Sequence, residues 1–344
     1  MATERQATAG APPLHAQLIQ MGMGFWVSRI LYAAAKLSLA DHLAEGPKSA
    51  VELAGQIHTH APSLHRLMRT LAGLGVLTED ASHHFALTPL GAALKTGAPG
   101  SARATILALA GDLWYQGWQP ILYCLETGKT GMQKAFGISQ FEYFSQHPEE
   151  ASYFNEAMIG WHGEEPAAIA AAYDFSGFDT VVDVGGGTGN LITTVLLRYP
   201  RGRGVLAELP HVLGEAQTLV ESRGLKERCR LEPIDFFKSV PAGGDAYLLS
   251  HVIHDWTDEE CTVILGNCRA AMRPSGRLLI VETVMPPGDT PDPIKLLDIA
   301  MLVMPGGQER TEEEYSALLS GAGFRLERIV PTHSPISVIE GVPT

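Results

Sequence analysis

The chain has 344 residues, of which 45% are hydrophobic and 18% charged, with a formal net charge of −13. This is a globular composition with length for about two hydrophobic cores, which excludes a largely disordered chain. The negative charge repels phosphate backbones and argues against general nucleic-acid binding, and no apolar run approaches the roughly 18 residues a membrane helix needs.

In chain order, Met1 to Pro13 is small and polar, without a basic region ahead of an apolar one. No signal peptide is expected, and the cytoplasm is the expected compartment. Leu14, Leu18, Met21 and Phe25 step by four, three and four onto one helical face, thinly bordered by charge, so that face needs a partner surface. Val51 to Ile57 forms a helix. After a break at Ala61-Pro62, Leu64, Leu67, Leu71 and Leu74 line a second, which Gly75 ends. Short β pieces at Val76-Leu77 and Phe85-Ala86-Leu87 flank a polar tip, so residues 1–100 read as a winged helix. Its recognition helix offers only Arg66 and Arg69, thin for groove docking. A DNA-binding regulator is therefore the weaker reading, and a dimerisation and lid module the better one.

Residues 101–178 read as a helical linker and substrate-lining region. Its aromatics, Trp114, Tyr115, Trp118, Phe136, Phe141, Tyr143, Phe144, Phe154 and Trp161, are expected mostly in the core, and Asp174 to Phe178 is the expected hinge. From 179 to 344 strands and helices alternate: strands at Val181–Val184, Arg203–Leu206, Cys229–Pro233, Ala246–Ser250 and Arg277–Val281, with helices from Leu191, near His211, from Asp258 and from Glu312. Alternation of this kind predicts an α/β, doubly wound parallel sheet. Thr257 with Glu260 and Thr311 with Glu314 fit capping boxes, and the tail, Arg325–Val330 and Ile336–Ile339, fits a closing hairpin.

The chemistry concentrates after the strands, where a doubly wound sheet binds its ligand. Asp183 is followed by Gly185, Gly186, Gly187 and Gly189, a G-x-G-x-G loop; a dinucleotide fingerprint would need glycine at Asn190, and no Gly-Lys-Ser/Thr follows for a triphosphate. Glu208 follows Gly189 by 19 residues, where an acid accepts hydrogen bonds from ribose hydroxyls. Asp235 is placed to accept from an adenine amino group, with Phe236 or Phe237 packed on the ring. Ser250-His-Val-Ile-His-Asp-Trp256 brings His254 or His251 as a general base. Glu282 and Glu309 arrive at the same sheet edge, where two carboxylates can fix one imidazole tautomer and stabilise its charged form. Asp255, Met301 and Met304 are expected on the acceptor side. Cys124, Cys229, Cys261 and Cys268 lack C-x-x-C spacing, and histidines are clustered in sequence only at His58-x-His60 and His83-His84. Reduced structural thiols, solvated loop histidines and no metal site are expected.

Together, Val182-Asp-Val-Gly-Gly-Gly-Thr-Gly189, Glu208-Leu-Pro210, Asp235-Phe-Phe237, His254-Asp-Trp256 and Gly306-Gly-Gln-Glu-Arg-Thr311 resemble, in order, the two-domain class I O-methyltransferases of plant caffeate and isoflavone metabolism and bacterial polyketide tailoring. The resemblance implies a Rossmann-like catalytic domain behind a winged-helix domain that swaps into a partner subunit. It further implies a homodimer, S-adenosyl-L-methionine as cofactor, a small aromatic acceptor, and His254 as base flanked by Glu282 and Glu309. Such a base replaces the magnesium that other methyltransferases use. Three positions depart from the family: Glu208 where Asp is usual, Ser250 where plant members often carry Lys, and Ile234 where Gly is common. The same architecture also hosts N-methyltransferases and non-methylating decarboxylases or hydroxylases, which stand as alternatives.

Overall fold

A computed structural model describes residues 12–344, apart from His211 and the side chain of Trp161. Met1 to Ala11, most of the polar start, and the expected helix start at His211 lie outside the described residues. The chain forms two compact units: one runs to Tyr115 and takes up Phe144–Trp161, the other comprises Gln116–Tyr143 and His162–Thr344. The stretch 101–178 is therefore shared between the two units and is not a region of its own.

In the first unit the expected single helix is two, Leu14–Gly22 and Gly24–Lys36. Gly22 and Gly24 bracket the interruption at Met23, and glycine is among the poorest helix formers. Leu14, Leu18, Met21 and Phe25 are 80%, 69%, 76% and 52% exposed, an apolar surface this chain leaves uncovered. Strand β1, Lys48–Ser49, leads into helix Ala50–Ile57, where Ser49 and Glu52 cap each other reciprocally. Helix Ala61–Gly73 carries Pro62 in its first turn, where the missing N–H costs nothing. Strands β2, Leu77–Glu79, and β3, His84–Leu87, form the expected hairpin, and β1 adds to its far side in the order β1-β3-β2. Leu53, Met68, Leu71 and Phe85 are fully enclosed beneath it. Burying Phe85 alone contributes about 2–3 kcal/mol.

The second unit holds a seven-stranded sheet in the order β6-β5-β4-β7-β8-β10-β9. Its strands are β4 Thr180–Val184, β5 Arg203–Glu208, β6 Cys229–Pro233, β7 Ala246–Ser250, β8 Arg277–Thr283, β9 Phe324–Pro331 and β10 Ile336–Pro343. The first five are parallel; the tail forms the expected hairpin and pairs antiparallel with β8. Alternate residues face opposite layers: Val182, Val184 and Tyr247 meet Ile264 and Cys268, while Val181, Leu206 and Leu248 meet Ile192 and Val195. Succession runs outward from β4 through β5 to β6, then restarts on the other side with β7 and β8. The carboxyl ends of β4 and β7 thus form the topological switch point, where ligands of such sheets bind.

The expected hinge, Asp174 to Phe178, lies inside the second unit. Tyr173 and Phe175 are 3% and 1% exposed and pair edge-on at 5.0 Å, so this segment anchors the core. Of the aromatics expected in the core, Trp114 is buried, whereas Tyr115 and Phe141 are exposed and most of the others half-buried, as large rings often are. Met301 lies on a helix, Ile294–Val303, and Met304 directly follows it. Among the described residues no helix is long and apolar enough to cross a membrane.

Candidate active site

The loop after β4 turns through Gly185 at φ +69° and Gly187 at φ +55°, conformations that favour glycine. A side chain at Gly186 would lie 2.5 Å from the Asp183 carboxyl, so the loop closes directly over that acid. Asp183 is fully buried, and neither carboxylate oxygen has an aligned hydrogen bond. Burial, then the charge of Glu208, pushes its pKa up to about 7, an effect the N–H of Ile192 offsets in part. Glu208 ends β5 and accepts from the N–H of Gly187 at 2.9 Å and of Leu209 at 2.7 Å. It therefore ties the glycine loop to β5, with a second lone pair on each oxygen left to a ligand.

Asp235 accepts from the N–H of Phe237 at 3.1 Å and pairs with Lys238 at 2.9 Å, which holds its carboxyl below the usual range. Phe236 lies over Gly185: a side chain there would meet its ring at 3.5 Å. Phe236 and Phe237 both meet Trp256 edge-on, at 5.9 and 4.8 Å, while Phe141 stacks on that indole at 5.7 Å. Ser250 closes β7, half-buried.

Beyond it, a single 3₁₀ turn, Ile253–Asp255, carries His254. Its Nδ1 lies 2.8 Å from Oε1 of Glu309, and its backbone N–H donates to Oε1 of Glu282 at 3.0 Å. Glu282 is thus not a second ring partner, contrary to the expectation that both carboxylates hold the imidazole. It holds the turn's backbone, and its other oxygen accepts from the Tyr315 hydroxyl. The buried Arg310 donates to the carbonyls of Ile253 at 3.0 Å and Trp256 at 3.1 Å and to Asp258 at 2.8 Å, clamping the turn from below. Gly307 is required there, since a side chain would come within 1.9 Å of the His254 carbonyl. Oδ1 of Asp255 lies 3.8 Å from Nε2 of His254, outside hydrogen-bond reach, and Nε2 has no hydrogen bond among the described residues. Burial would lower the pKa of His254, but Asp255, Glu309 and Glu282 outweigh it and raise the value to about 10. Burial raises Asp255 to about 6 and raises Glu282 as well.

Met301 is 7% exposed, while Met304 is wholly enclosed, packed on Gly117 and close to Met132. Met304, expected at the acceptor, therefore belongs to the layer beneath. The structure also gathers residues that are distant in sequence. His162, Glu165 and His251 converge, with the His251 ring 5.4 Å from that of His254, a cluster the histidine spacing did not disclose.

A glycine loop over a buried acid, an acid at the end of the next strand, and a carboxylate-held imidazole at the switch point define a nucleoside-cofactor transferase of the Rossmann-like class. The O-methyltransferase domain family matches residues 118–325, and the O-methyltransferase dimerisation domain matches residues 19–97. The phenazine O-methyltransferase PhzM of Lysobacter antibioticus is 44% identical over 97% of this chain and 98% of that protein. The structure of the mitomycin 7-O-methyltransferase MmcR superposes with a TM-score of 0.91 at 35% identity, covering 96% of this chain and 98% of that one. CalO1, a methyltransferase of calicheamicin biosynthesis solved with S-adenosylhomocysteine bound, gives 0.81 at 34% identity, covering 97% of this chain and 100% of that one. The chain belongs to the two-domain, S-adenosylmethionine-dependent O-methyltransferases.

Proposed function

We propose that this enzyme methylates a hydroxyl on a small aromatic natural product, with His254 as general base, and that it works as a cytoplasmic homodimer. The observation that carries this reading is the Glu309–His254 pair, 2.8 Å apart beside the glycine loop. The uncommitted lone pairs of Glu208 fit a cofactor rich in hydrogen-bond donors, while the buried Asp183 would support the glycine loop that cradles it. Asp183, Gly185, Gly187, Glu208, Asp235, Phe236 and Ser250 would hold it, with Asp255 and Met301 toward the acceptor. When bound, S-adenosylmethionine supplies a sulfonium methyl open to in-line attack.

Glu309 accepts from Nδ1–H of His254, which leaves Nε2 to take the proton of the acceptor hydroxyl. The surrounding carboxylates raise the pKa of His254 to about 10, so they stabilise the imidazolium formed when Nε2 takes the proton, and the unprotonated form that acts as base grows as pH rises toward that value. Glu282 and Arg310 fix the turn, which keeps the ring in position without loop rearrangement. The dimer is supported by the dimerisation-domain match and by the exposed apolar residues from Leu14 to Phe25. Incubation with S-adenosylmethionine and a panel of phenols and hydroxyquinones tests the reading: a product 14 mass units heavier, O-methylated by its fragmentation, is expected on some members. Methylation confined to amines would overturn it.

A further inference from the structure

His251 directly follows β7 and adopts φ +52°, the left-handed region that costs a non-glycine residue energy. Its Nε2 lies 2.8 Å from Oε2 of the buried Glu165, the first residue of helix Glu165–Ala172. The ring of His162 lies against that of His251, 3.8 Å between centroids and tilted by 36°, and Nδ1 of His162 lies 2.9 Å from the same oxygen without hydrogen-bond alignment. Packing alone would be served by an apolar side chain with an ordinary φ. Instead the fold keeps a strained histidine, a buried acid and a second imidazole together, with the His251 ring 5.4 Å from that of His254.

Two carboxylate–imidazole pairs therefore stand side by side. In one, Glu309 engages Nδ1 and leaves Nε2 of His254; in the other, Glu165 engages Nε2 and leaves Nδ1 of His251 without a hydrogen-bond partner among the described residues. We propose that His251, with its tautomer fixed by Glu165, accepts a hydrogen bond from a second hydroxyl on the same aromatic acceptor, on a carbon adjacent or peri to the one that presents its hydroxyl to His254. Burial depresses His251 to about 4 despite Glu165, so at neutral pH Nδ1 carries a lone pair and no proton. A lone pair welcomes an O–H and repels a carbonyl or ether oxygen. The site then selects diols over mono-ols and over singly methylated diols, which also limits it to one transfer per pair. This inference rests on the proposed function and narrows its substrate class.

The test uses the full-length enzyme with a fused-ring arene diol bearing peri or adjacent hydroxyls, its mono-ol and its monomethyl ether. We expect the wild type to favour the diol over the mono-ol by about tenfold in kcat/KM, the range of one net hydrogen bond. In His251→Asn, whose side chain tolerates the left-handed backbone, that ratio should fall below about threefold, and Glu165→Gln should reduce it part-way. His83→Asn, at another left-handed histidine in the first unit, should leave it unchanged. Diol affinity in the presence of S-adenosylhomocysteine is a readout independent of turnover. Equal losses on diol and mono-ol in His251→Asn, or an unaltered ratio, would overturn the inference. So would a ratio abolished by EDTA, since the trio would then be acting through a bound cation. Diol-selective binding that disappears in His251→Asn without any methyl transfer would sustain the inference and sink the proposed function; transfer without selectivity would do the reverse.

Discussion

Replacing Asp183 by asparagine should make the cofactor-free enzyme less sensitive to alkaline pH. Asp183 is fully buried with both oxygens lacking an aligned donor, and its carboxyl is raised from 3.8 to about 7 by burial and by Glu208. Between those two values the folded chain holds a proton that the unfolded chain has released, so stability falls as pH rises. At 1.36 kcal/mol per tenfold change in proton affinity, the full penalty is about 4 kcal/mol above pH 7, of which about 2 kcal/mol accrues between pH 5.5 and 8. Asparagine carries no charge at either pH, while its own burial cost is the same at both. The Tm advantage of Asp183→Asn over wild type should therefore grow by about 4–8 °C between those pH values, taking 2–4 °C per kcal/mol for a unit of this size. Scanning calorimetry of both proteins without cofactor reads it. Parallel pH dependences would refute the argument, because they would mean Asp183 is not charged at a cost. The same variant should weaken S-adenosylhomocysteine binding, because it places an amide N–H₂ against the glycine loop that closes over Asp183.

Glu309→Gln should lower the pKa of His254, since the bonded charge is one of those raising it. A base must be unprotonated, so kcat/KM rises with pH, and the variant's inflection should appear at lower pH with a reduced plateau; an unmoved inflection would assign the titration elsewhere. Arg310→Met should cost about 1–3 kcal/mol, because two carbonyls of the turn lose their donor while the exposed Asp258 is left to solvent, and it should lower kcat more than it raises KM. A fully active, equally stable variant would show that the turn needs no clamp. Leu18→Glu with Phe25→Glu should yield a monomer by light scattering, because both side chains are exposed on the uncovered apolar face. A dimer unchanged by both charges would place the interface elsewhere.

The second unit was legible in the sequence because buried parallel strands leave near-continuous apolar runs, and most of the functional residues stand at or just beyond the carboxyl ends of those strands. The capping boxes at Thr257 and Thr311 formed as expected because their chemistry is local. Helix Ile294–Val303 escaped because it is apolar on most sides and shows no stripe. Strand β1, with two residues, is too short to carry alternation. The hinge was misplaced because Asp-Phe-Ser-Gly-Phe reads as a linker, while its aromatics pack into the sheet's helical layer. In the site, the Glu309–His254 contact agrees with what the family resemblance implies, whereas the strand order alone leaves His251 and His254 both open. That Glu282 would hold a backbone N–H, and that Glu165 would reach His251 across 86 residues, depended on tertiary geometry that no spacing encodes.

The most direct test of the account is single-turnover transfer of a deuterated methyl from S-adenosylmethionine to a weakly acidic phenol, in wild type and in His254→Ala. We expect labelled product from the wild type and a rate lower by about two to four orders of magnitude in the variant, the usual contribution of a general base. Affinity for S-adenosylhomocysteine should be nearly unchanged, since His254 stands outside the glycine loop and the acids at the ends of β4 and β5. An undiminished rate in His254→Ala would contradict the account, because positioning alone would then carry the reaction.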